Sequence, residues 1–403
     1  MSGLPSRIAL VHEWFTPRSV GGSELVVQQI DRLLGEGRPA ASLFALVDGE
    51  SSRSGGWLEG RRIQTTFIQR LPWGVSHVQQ YLPLLPLAIE QLDLAGYPLV
   101  LSSNHLVAKG VLTGPDQLHI SYVHTPVRYA WDQMQAYLAG SAIARGPLGP
   151  LVRWQLHQLR QWDVSSSARV DHLLANSRFT ARRIWRCWRR SSQVLHPPVA
   201  VDRFRWDQPR DDFYLSLCRL VPYKRVDLVI EACNRLGLPL LVVGDGPERA
   251  RLQALAGPTV TLLGACSAER VTDLMGRCRA YLYAGLEDFG IAPVEAMAAG
   301  APVIGLGQGG LLDTVRCLTA EAPHPTGLLF EQQSATALVQ ALEHFEQGQL
   351  WHRLPAERQR QWAERFSPER FRQRLQAVLE RRWQGHQRRL RRCASGVSDR
   401  EGW

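Results

Sequence analysis

The chain has 403 residues, 45% of them hydrophobic and 21% charged, with a net charge of 47 − 37 = +10. That length exceeds one ordinary core, so two domains of a folded soluble protein are expected; no apolar run of about 18 residues occurs, which excludes a membrane-spanning helix. The seven cysteines are odd in number and form no C-x-x-C pair, which argues against zinc and a disulfide framework and leaves them as small buried hydrophobes.

The positive balance points to an anionic partner: nucleic acid, an acidic membrane or a phosphorylated substrate. Only Lys109 and Lys224 among the 47 basic residues are lysine. In a chain so biased toward arginine, a retained lysine marks a place for a compact ammonium rather than a planar fork. The opening "MSGLPSRIALVHEWF" lacks the layout of a signal peptide, so a cytoplasmic location is expected.

In chain order, "RIALVHEW" (Arg7–Trp14) reads as a strand, and "FTPRSVGGSE" as the loop after it. "ELVVQQIDRLLGEG" (Glu24–Gly37) has helical spacing and ends at glycine. "ASLFALV", "YPLVLSSN" (Tyr97–Asn104), "LHISYVHT" (Leu118–Thr125) and "DHLLANS" (Asp171–Ser177) are further strands, the last leading into a helix, "RFTARRIWRCW". "LHPPVAVDRFRWDQPRDD" (Leu195–Asp212) is rich in proline and charge and reads as a linker. The alternation then restarts with the strand "FYLSLCRL", the helix "RVDLVIEACNRLG" and the strands "LPLLVVGDGP", "TVTLLG", "AYLYAG" and "APVIGL". A final helix begins at "SPERF", with Ser367 as N-cap and Pro368 in its first turn, and the tail "GHQRRLRRCASGVSDREGW" is expected to fray. Strands alternating with helices imply parallel sheets covered on both faces. The expected organisation is an α/β pair of doubly wound domains: 1–196, a linker 197–212, a domain 213–365, a helix 366–393 crossing back to the first domain, and a tail 394–403. In such sheets ligands bind beyond the carboxyl ends of the strands.

The polar motifs lie at those ends. Gly21 and Gly22 stand between the first strand and a helix, where backbone N–H groups can approach an anion. Arg219 and Lys224, five apart after a strand, suit a diphosphate, a fork beside a point charge; two solvated surface charges are the plain alternative. Gly244, Asp245 and Gly246 in "VVGDGPE" form either a structural turn or a nucleotide wall. "EDFGIAPVEAMAAGAPVIG" (Glu287–Gly305) sets two carboxylates eight apart around a nearly bare backbone. The amides of Phe289, Gly290, Ile291 and Ala292 precede a helix that Pro293 is expected to start, and they suit phosphate. Glu287 and Glu295 suit paired sugar hydroxyls. A ligand with sugar, diphosphate and ribose in series, a nucleotide-sugar, meets all of these requirements.

This series of motifs, R-x4-K, G-D-G-P, then E-x7-E followed by "AMAAGAPVIG", resembles that of retaining glycosyltransferases of family 4, which have the GT-B fold. The resemblance covers almost the whole chain. It implies that Arg219 and Lys224 bind the donor diphosphate, that Glu287 contacts the transferred sugar and Glu295 the ribose, and that the amides from Phe289 to Ala292 contact phosphate and sugar. It also implies that the Gly21–Gly22 loop approaches the phosphates and that His124 lies beside the donor sugar. Unaided, His124 also reads as a satisfied strand-end histidine. "YLPLLPLAIEQLDLAGYPLVLSS" and "HTPVRYAWD" are similar to mannosyltransferases that build O-antigen and exopolysaccharide units, which implies GDP-mannose as donor, with a UDP-sugar, used by related enzymes, as the alternative. Arg128, Tyr129 and Asp132 would then line the acceptor side, and Gly264–Arg270 would face the base.

The resemblance further implies front-face substitution with retention, with no carboxylate nucleophile, no metal and no cofactor, since the two cations take the metal's place. The expected acceptor is a lipid-linked glycan at the inner face of the membrane. "RFTARRIWRCWRRSS" (Arg178–Ser192) and "RRWQGHQRRLRRC" interleave aromatic residues with arginine, as surface-lying helices do, and a solvated basic face is the alternative. Two other classes are less well supported. A GT-B epimerase should lack the two paired motifs, and a phosphorylase needs a pyridoxal-binding lysine. A nucleic-acid-binding protein is suggested by charge alone, without a recognition helix or zinc spacing.

Overall fold

The computed structural model describes residues 3–17, 21–37, 39–319 and 324–394. The chain divides into two compact units, residues 1–196 with 371–403, and residues 197–370.

The first unit is built on seven parallel strands: β1 (Ile8–Phe15), β2 (Ser42–Asp48), β3 (Ile63–Thr65), β4 (Leu99–Asn104), β5 (Leu118–Val123), β6 (His172–Ala175) and β7 (Gln193–Val194). Their order across the sheet is β3-β2-β1-β4-β5-β6-β7. Every residue of β1, β4 and β5 is buried, because helices cover both faces. Alternate side chains serve opposite cores: Ala9, Val11, Phe44 and Leu46 on one face, Ile8, Leu10, Leu43 and Ala45 on the other. The second face is closed by helix Gly22–Gly35, through Val26, Val27, Ile30, Leu33 and Leu34 at helical spacing, and by the C-terminal helix.

That last helix, Pro368–Ala394, starts as expected, with the Arg370 amide donating to Ser367 Oγ at 3.3 Å. It buries Phe371, Leu375, Val378, Leu379 and Trp383 in the first unit. The expected fraying at "GHQRRL" does not occur. The helix runs on to Ala394 because His386 is also buried, its Nε2 3.0 Å from the Asp116 carbonyl. Residues 395–403 of the predicted tail lie outside the described residues.

The second unit has six parallel strands: β8 (Tyr214–Leu217), β9 (Leu240–Val243), β10 (Val260–Gly264), β11 (Ala280–Tyr283), β12 (Val303–Leu306) and β13 (Gly327–Phe330), ordered β10-β9-β8-β11-β12-β13. Its two faces are again packed separately, Ala280 and Leu282 on one, Tyr281 and Tyr283 on the other. The segment 197–212, expected as a linker, is not a free connector. Val199, Val201 and Phe204 are buried in this unit, and the Arg210 guanidinium donates to the carbonyls of Met275, Cys278 and Ala299. Proline and charge mimic a linker here because the segment's backbone and cations are satisfied by neighbouring carbonyls rather than by a strand ladder.

Two further expectations change. Only Cys233 and Cys278 among the free cysteines are buried, and Cys393 is exposed. Helix Arg178–Trp188 turns Ile184 and Trp188 into the core, leaving Trp185 outside at 55% exposure, so its aromatic residues are not one lipid-facing stripe. Among the described residues no helix is long and apolar enough to cross a membrane.

Candidate active site

In the second unit the exits of β8 and β11 converge on one ion pair. After β8 the chain makes a tight turn at Pro222–Lys224 and passes through Arg225 in the left-handed region, φ 51°. This turn directs Lys224 toward Tyr283, the last residue of β11, and toward Glu287 four residues later. Lys224 Nζ lies 3.1 Å from Tyr283 Oη and pairs with Glu287 Oε1, and Tyr283 Oη donates to the same oxygen. The side chains of Lys224 and Glu287 are only 17% and 14% exposed, so solvent screens this pair far less than a surface bridge. Arg219 is in the same loop and exposed, and among the described residues no ion pair holds it.

The helix after Glu287 starts at Ile291, not at Pro293, which is its third residue. Gly290 precedes it at φ 92°, a conformation a side chain rarely adopts, and this sharp entry leaves the first helical amides without partners inside the helix. Phe289 is buried beneath the turn. Glu295 lies on the same helix, its Oε1 3.8 Å from Arg203 Nη1. Burial holds its carboxyl above the ordinary range, and the Arg203 guanidinium opposes that rise. A second loop backs the first: the Gly310 amide donates to the Glu287 carbonyl at 2.8 Å, and a Cβ on Gly310 would fall 2.3 Å from Phe289 Cα. Two loops can touch this closely only through glycine.

Gly244 and Gly246 have a packing reason to be glycine. Their Cβ atoms would lie 1.9 Å from the Cys218 carbonyl oxygen and 2.3 Å from that of Leu220. Asp245 Oδ1 accepts from the Gly246 amide at 2.7 Å, so the motif has a structural role as a turn, whether or not it also borders a ligand.

In the first unit the exits of β1, β4 and β5 carry a run of imidazoles. Ser103 Oγ is 2.8 Å from His124 Nε2, the Ser103 carbonyl is 3.3 Å from His12 Nδ1, and His105 stands between, with ring centroids 6.0 Å from His12 and 6.4 Å from His124. Burial pushes all three down: His12 to about 3, with help from His105; His105 to about 4, with help from Arg128; and His124 well below its ordinary value, with help from its two neighbours. These rings are therefore neutral at physiological pH. Beside them the buried Glu13 carboxylate accepts from the amides of His105 (3.0 Å), Leu106 (2.7 Å), Val107 (3.0 Å) and Ala108 (3.1 Å). One side chain so satisfies the whole turn after β4, the usual requirement for a charge kept out of water.

The other predicted positions are placed as follows. Gly21 is the extended residue (φ −162°) ahead of helix Gly22–Gly35, and its Cβ would meet only Glu24 Oε2 at 3.4 Å, so nothing in the fold itself requires glycine there. Asp132 pairs with Arg183, and Tyr129 lies against Tyr137 with centroids 5.4 Å apart. Lys109, the other lysine, is fully buried, 2.7 Å from Asp163, whose second oxygen accepts from the indoles of Trp131 and Trp188. Sequence reasoning missed Tyr283, Arg203, Gly310 and Glu13. Glu13 has a visible signal, an acid inside an apolar strand; the others are set by tertiary approach.

Among the described residues no group of three or more His, Cys, Asp or Glu is placed to hold a metal ion. Residues 201–366 match the family model of glycosyl transferases group 1. The chain is 28% identical, over 80% of its length and 83% of the relative's, to a GDP-mannose-dependent alpha-mannosyltransferase of Mycobacterium tuberculosis (strain CDC 1551 / Oshkosh). It is 27% identical, over 77% and 75%, to a protein of the same description from Corynebacterium glutamicum. Among solved structures, sucrose-phosphate synthase from Thermosynechococcus elongatus aligns with a TM-score of 0.67 at 18% identity, covering 94% of this chain and 99% of that one. HepE of Anabaena, solved in complex with UDP, aligns at 0.64 and 16% identity, covering 93% and 99%. With its two parallel sheets, the chain has the two-domain α/β GT-B fold.

Proposed function

We propose that the protein is a metal-independent, retaining glycosyltransferase of family 4 that transfers mannose from GDP-mannose to a lipid-linked glycan in cell-surface polysaccharide synthesis. The observation that carries this reading is the Lys224–Tyr283–Glu287 cluster in front of the helix entered at Gly290. It sets a cation, the amides of a helix entry and a carboxylate side by side, as a diphosphate joined to a hydroxyl-rich ring requires. The mannose donor is supported by the names of the relatives from M. tuberculosis and C. glutamicum. The location follows from this reading: cytoplasmic, at the inner face of the membrane.

In this mechanism the bond between the anomeric carbon and the diphosphate oxygen breaks first. Arg219, Lys224 and the amides from Phe289 to Ala292 stabilise the charge growing on that oxygen. The acceptor hydroxyl attacks the same face of the sugar, and its proton passes to the departing phosphate oxygen. Glu287 orients the sugar hydroxyls and Glu295 those of the ribose. His124 contributes a neutral imidazole beside the sugar, fit to hydrogen-bond but not to carry charge. Gly21 and Gly22 meet the phosphates, Gly244 and Asp245 border the nucleotide, and Arg128, Tyr129 and Asp132 serve the acceptor.

The test is a thermal-shift screen against GDP, UDP, ADP and their sugar conjugates without metal. GDP and GDP-mannose are expected to raise the melting temperature, and Lys224→Ala or Glu295→Ala to abolish the rise. Stabilisation by a UDP-sugar alone would retain the transferase and discard mannose. Indifference to every nucleotide would remove the reading. Retention is checked separately, from the anomeric configuration of the product.

A further inference from the structure

Between β5 and β6 the first unit exposes an apolar surface. The short helices Met134–Gly140 and Ala142–Arg145 pack in series against the long helix Gly149–Ser167. The long helix turns Leu156, Leu159 and Asp163 inward. Its beginning does the opposite. Leu148, Leu151 and Trp154, spaced three apart and so along one flank, are 56%, 57% and 59% exposed. Ile143 and Tyr137, on the two short helices, add 62% and 44%. One such residue needs no explanation; a cluster of five on adjoining elements marks an interaction surface.

Charge identifies the partner. From Gln133 to Trp162 the sequence contains no Asp or Glu, while Arg145 and Arg153 stand exposed among the apolar residues. Anionic headgroups repel carboxylates and attract arginine, and the indole of tryptophan favours the boundary between headgroups and acyl chains. The two basic, aromatic helices suggested by sequence are poorer candidates, since Trp188 and Trp383 are buried.

We propose that residues 137–154 seat the protein on an anionic lipid bilayer, with Leu148, Leu151 and Trp154 entering the interface and Arg145 and Arg153 meeting lipid phosphates. This inference rests on the reading of the protein as working at the inner face of the membrane, but its test stands apart from the transfer reaction, because vesicle binding requires no substrate.

The test sediments the full chain with phosphatidylcholine vesicles, alone or mixed with phosphatidylglycerol. The wild type is expected to bind mixed vesicles much more tightly than neutral ones. Leu151→Ser with Trp154→Ser should lower partitioning by about tenfold or more. Arg145→Gln with Arg153→Gln should lower it about tenfold on mixed vesicles only. Trp185→Ser, on the basic helix, should change nothing. All these side chains are exposed, so thermal melting should stay at the wild-type value and confirm the fold. A wild type that stays in solution with both vesicles would overturn the proposal. So would an apolar variant that sediments like the wild type, or one whose only effect is to dissolve a dimer seen by ultracentrifugation.

Discussion

Replacing Lys224 by Met and Glu287 by Gln, singly and together, reads the strength of the pair at the heart of the candidate site. Exposed ion pairs contribute about 0.2–1 kcal/mol, whereas removing one member of a buried pair costs about 3–5 kcal/mol. Side-chain exposures of 17% and 14% place this pair between those limits. Tyr283 still donates to Glu287 after Lys224→Met and offsets about 1 kcal/mol of the loss. The expected cost of Lys224→Met is therefore about 2 kcal/mol. Glu287→Gln keeps an oxygen facing both donors and should cost about half as much. The second unit spans 370 − 197 + 1 = 174 residues. At that size about 2 kcal/mol lowers melting by roughly 4–8 °C. Calorimetry that separates the two units' transitions supplies the measurement, and the coupling from the cycle should be about 1.5 kcal/mol. Additive costs, agreeing within about 0.5 kcal/mol, would refute the reasoning. On the functional side, Glu287→Gln frees Lys224 for a diphosphate, so nucleotide affinity should hold while turnover falls by about 10²–10³.

Four other outcomes follow from the same physics. Burial raises the Glu295 carboxyl above its ordinary range, so its contribution to stability is present below the unfolded-state pKa and lost as pH rises through the folded one. Urea titrations should accordingly find Glu295→Gln more stable than wild type at neutral pH, with the gap closing toward about pH 4; a variant less stable at neutral pH would contradict this. The lowered imidazoles of His12 and His105 contribute stability present above their unfolded value of 6.5 and lost as pH falls toward about 3–4, and His124 is lowered in the same sense, so the first unit should weaken as pH falls below 6.5, and NMR should show none of the three titrating above pH 6.5. Lys109→Met strands Asp163 in the core and should cost about 3–5 kcal/mol in denaturant unfolding, even though two indoles still donate to it. Glu13→Ala removes the acceptor for four amides and should cost about 3 kcal/mol or more, with faster hydrogen exchange confined to residues 105–108.

Much of the fold is legible in the sequence because buried parallel strands leave continuous apolar runs, and "RIALVHEW", "LHISYVHT" and "AYLYAG" each became one. The strands missed were β3, β7 and β13, whose two to four residues at sheet edges show no periodicity. Residues 197–212 were misread because Arg210 and the buried valines do their work through distant carbonyls, which no local pattern reports. At the candidate site the spacing of Glu287 and Glu295 was visible, and so was the scarcity of lysine, which marked one buried ammonium and one at the site. That Lys224 meets Glu287, with Tyr283 between them, depends on how two loops end and was not.

The C-terminal helix carries a consequence for biosynthesis. The second unit is one uninterrupted stretch, 197–370, but the first is completed only by residues 371–403. Phe371, Leu375, Leu379 and Trp383 fill a core whose other walls were translated hundreds of residues earlier. On the ribosome the middle of the chain is therefore free to fold first, while the opening unit waits with one face of its sheet covered only in part, by helix Gly22–Gly35. A gene fragment ending at residue 196 should yield insoluble protein, one spanning 197–370 a soluble domain, and the fragment 1–196 should be rescued by supplying residues 368–394 as a separate peptide.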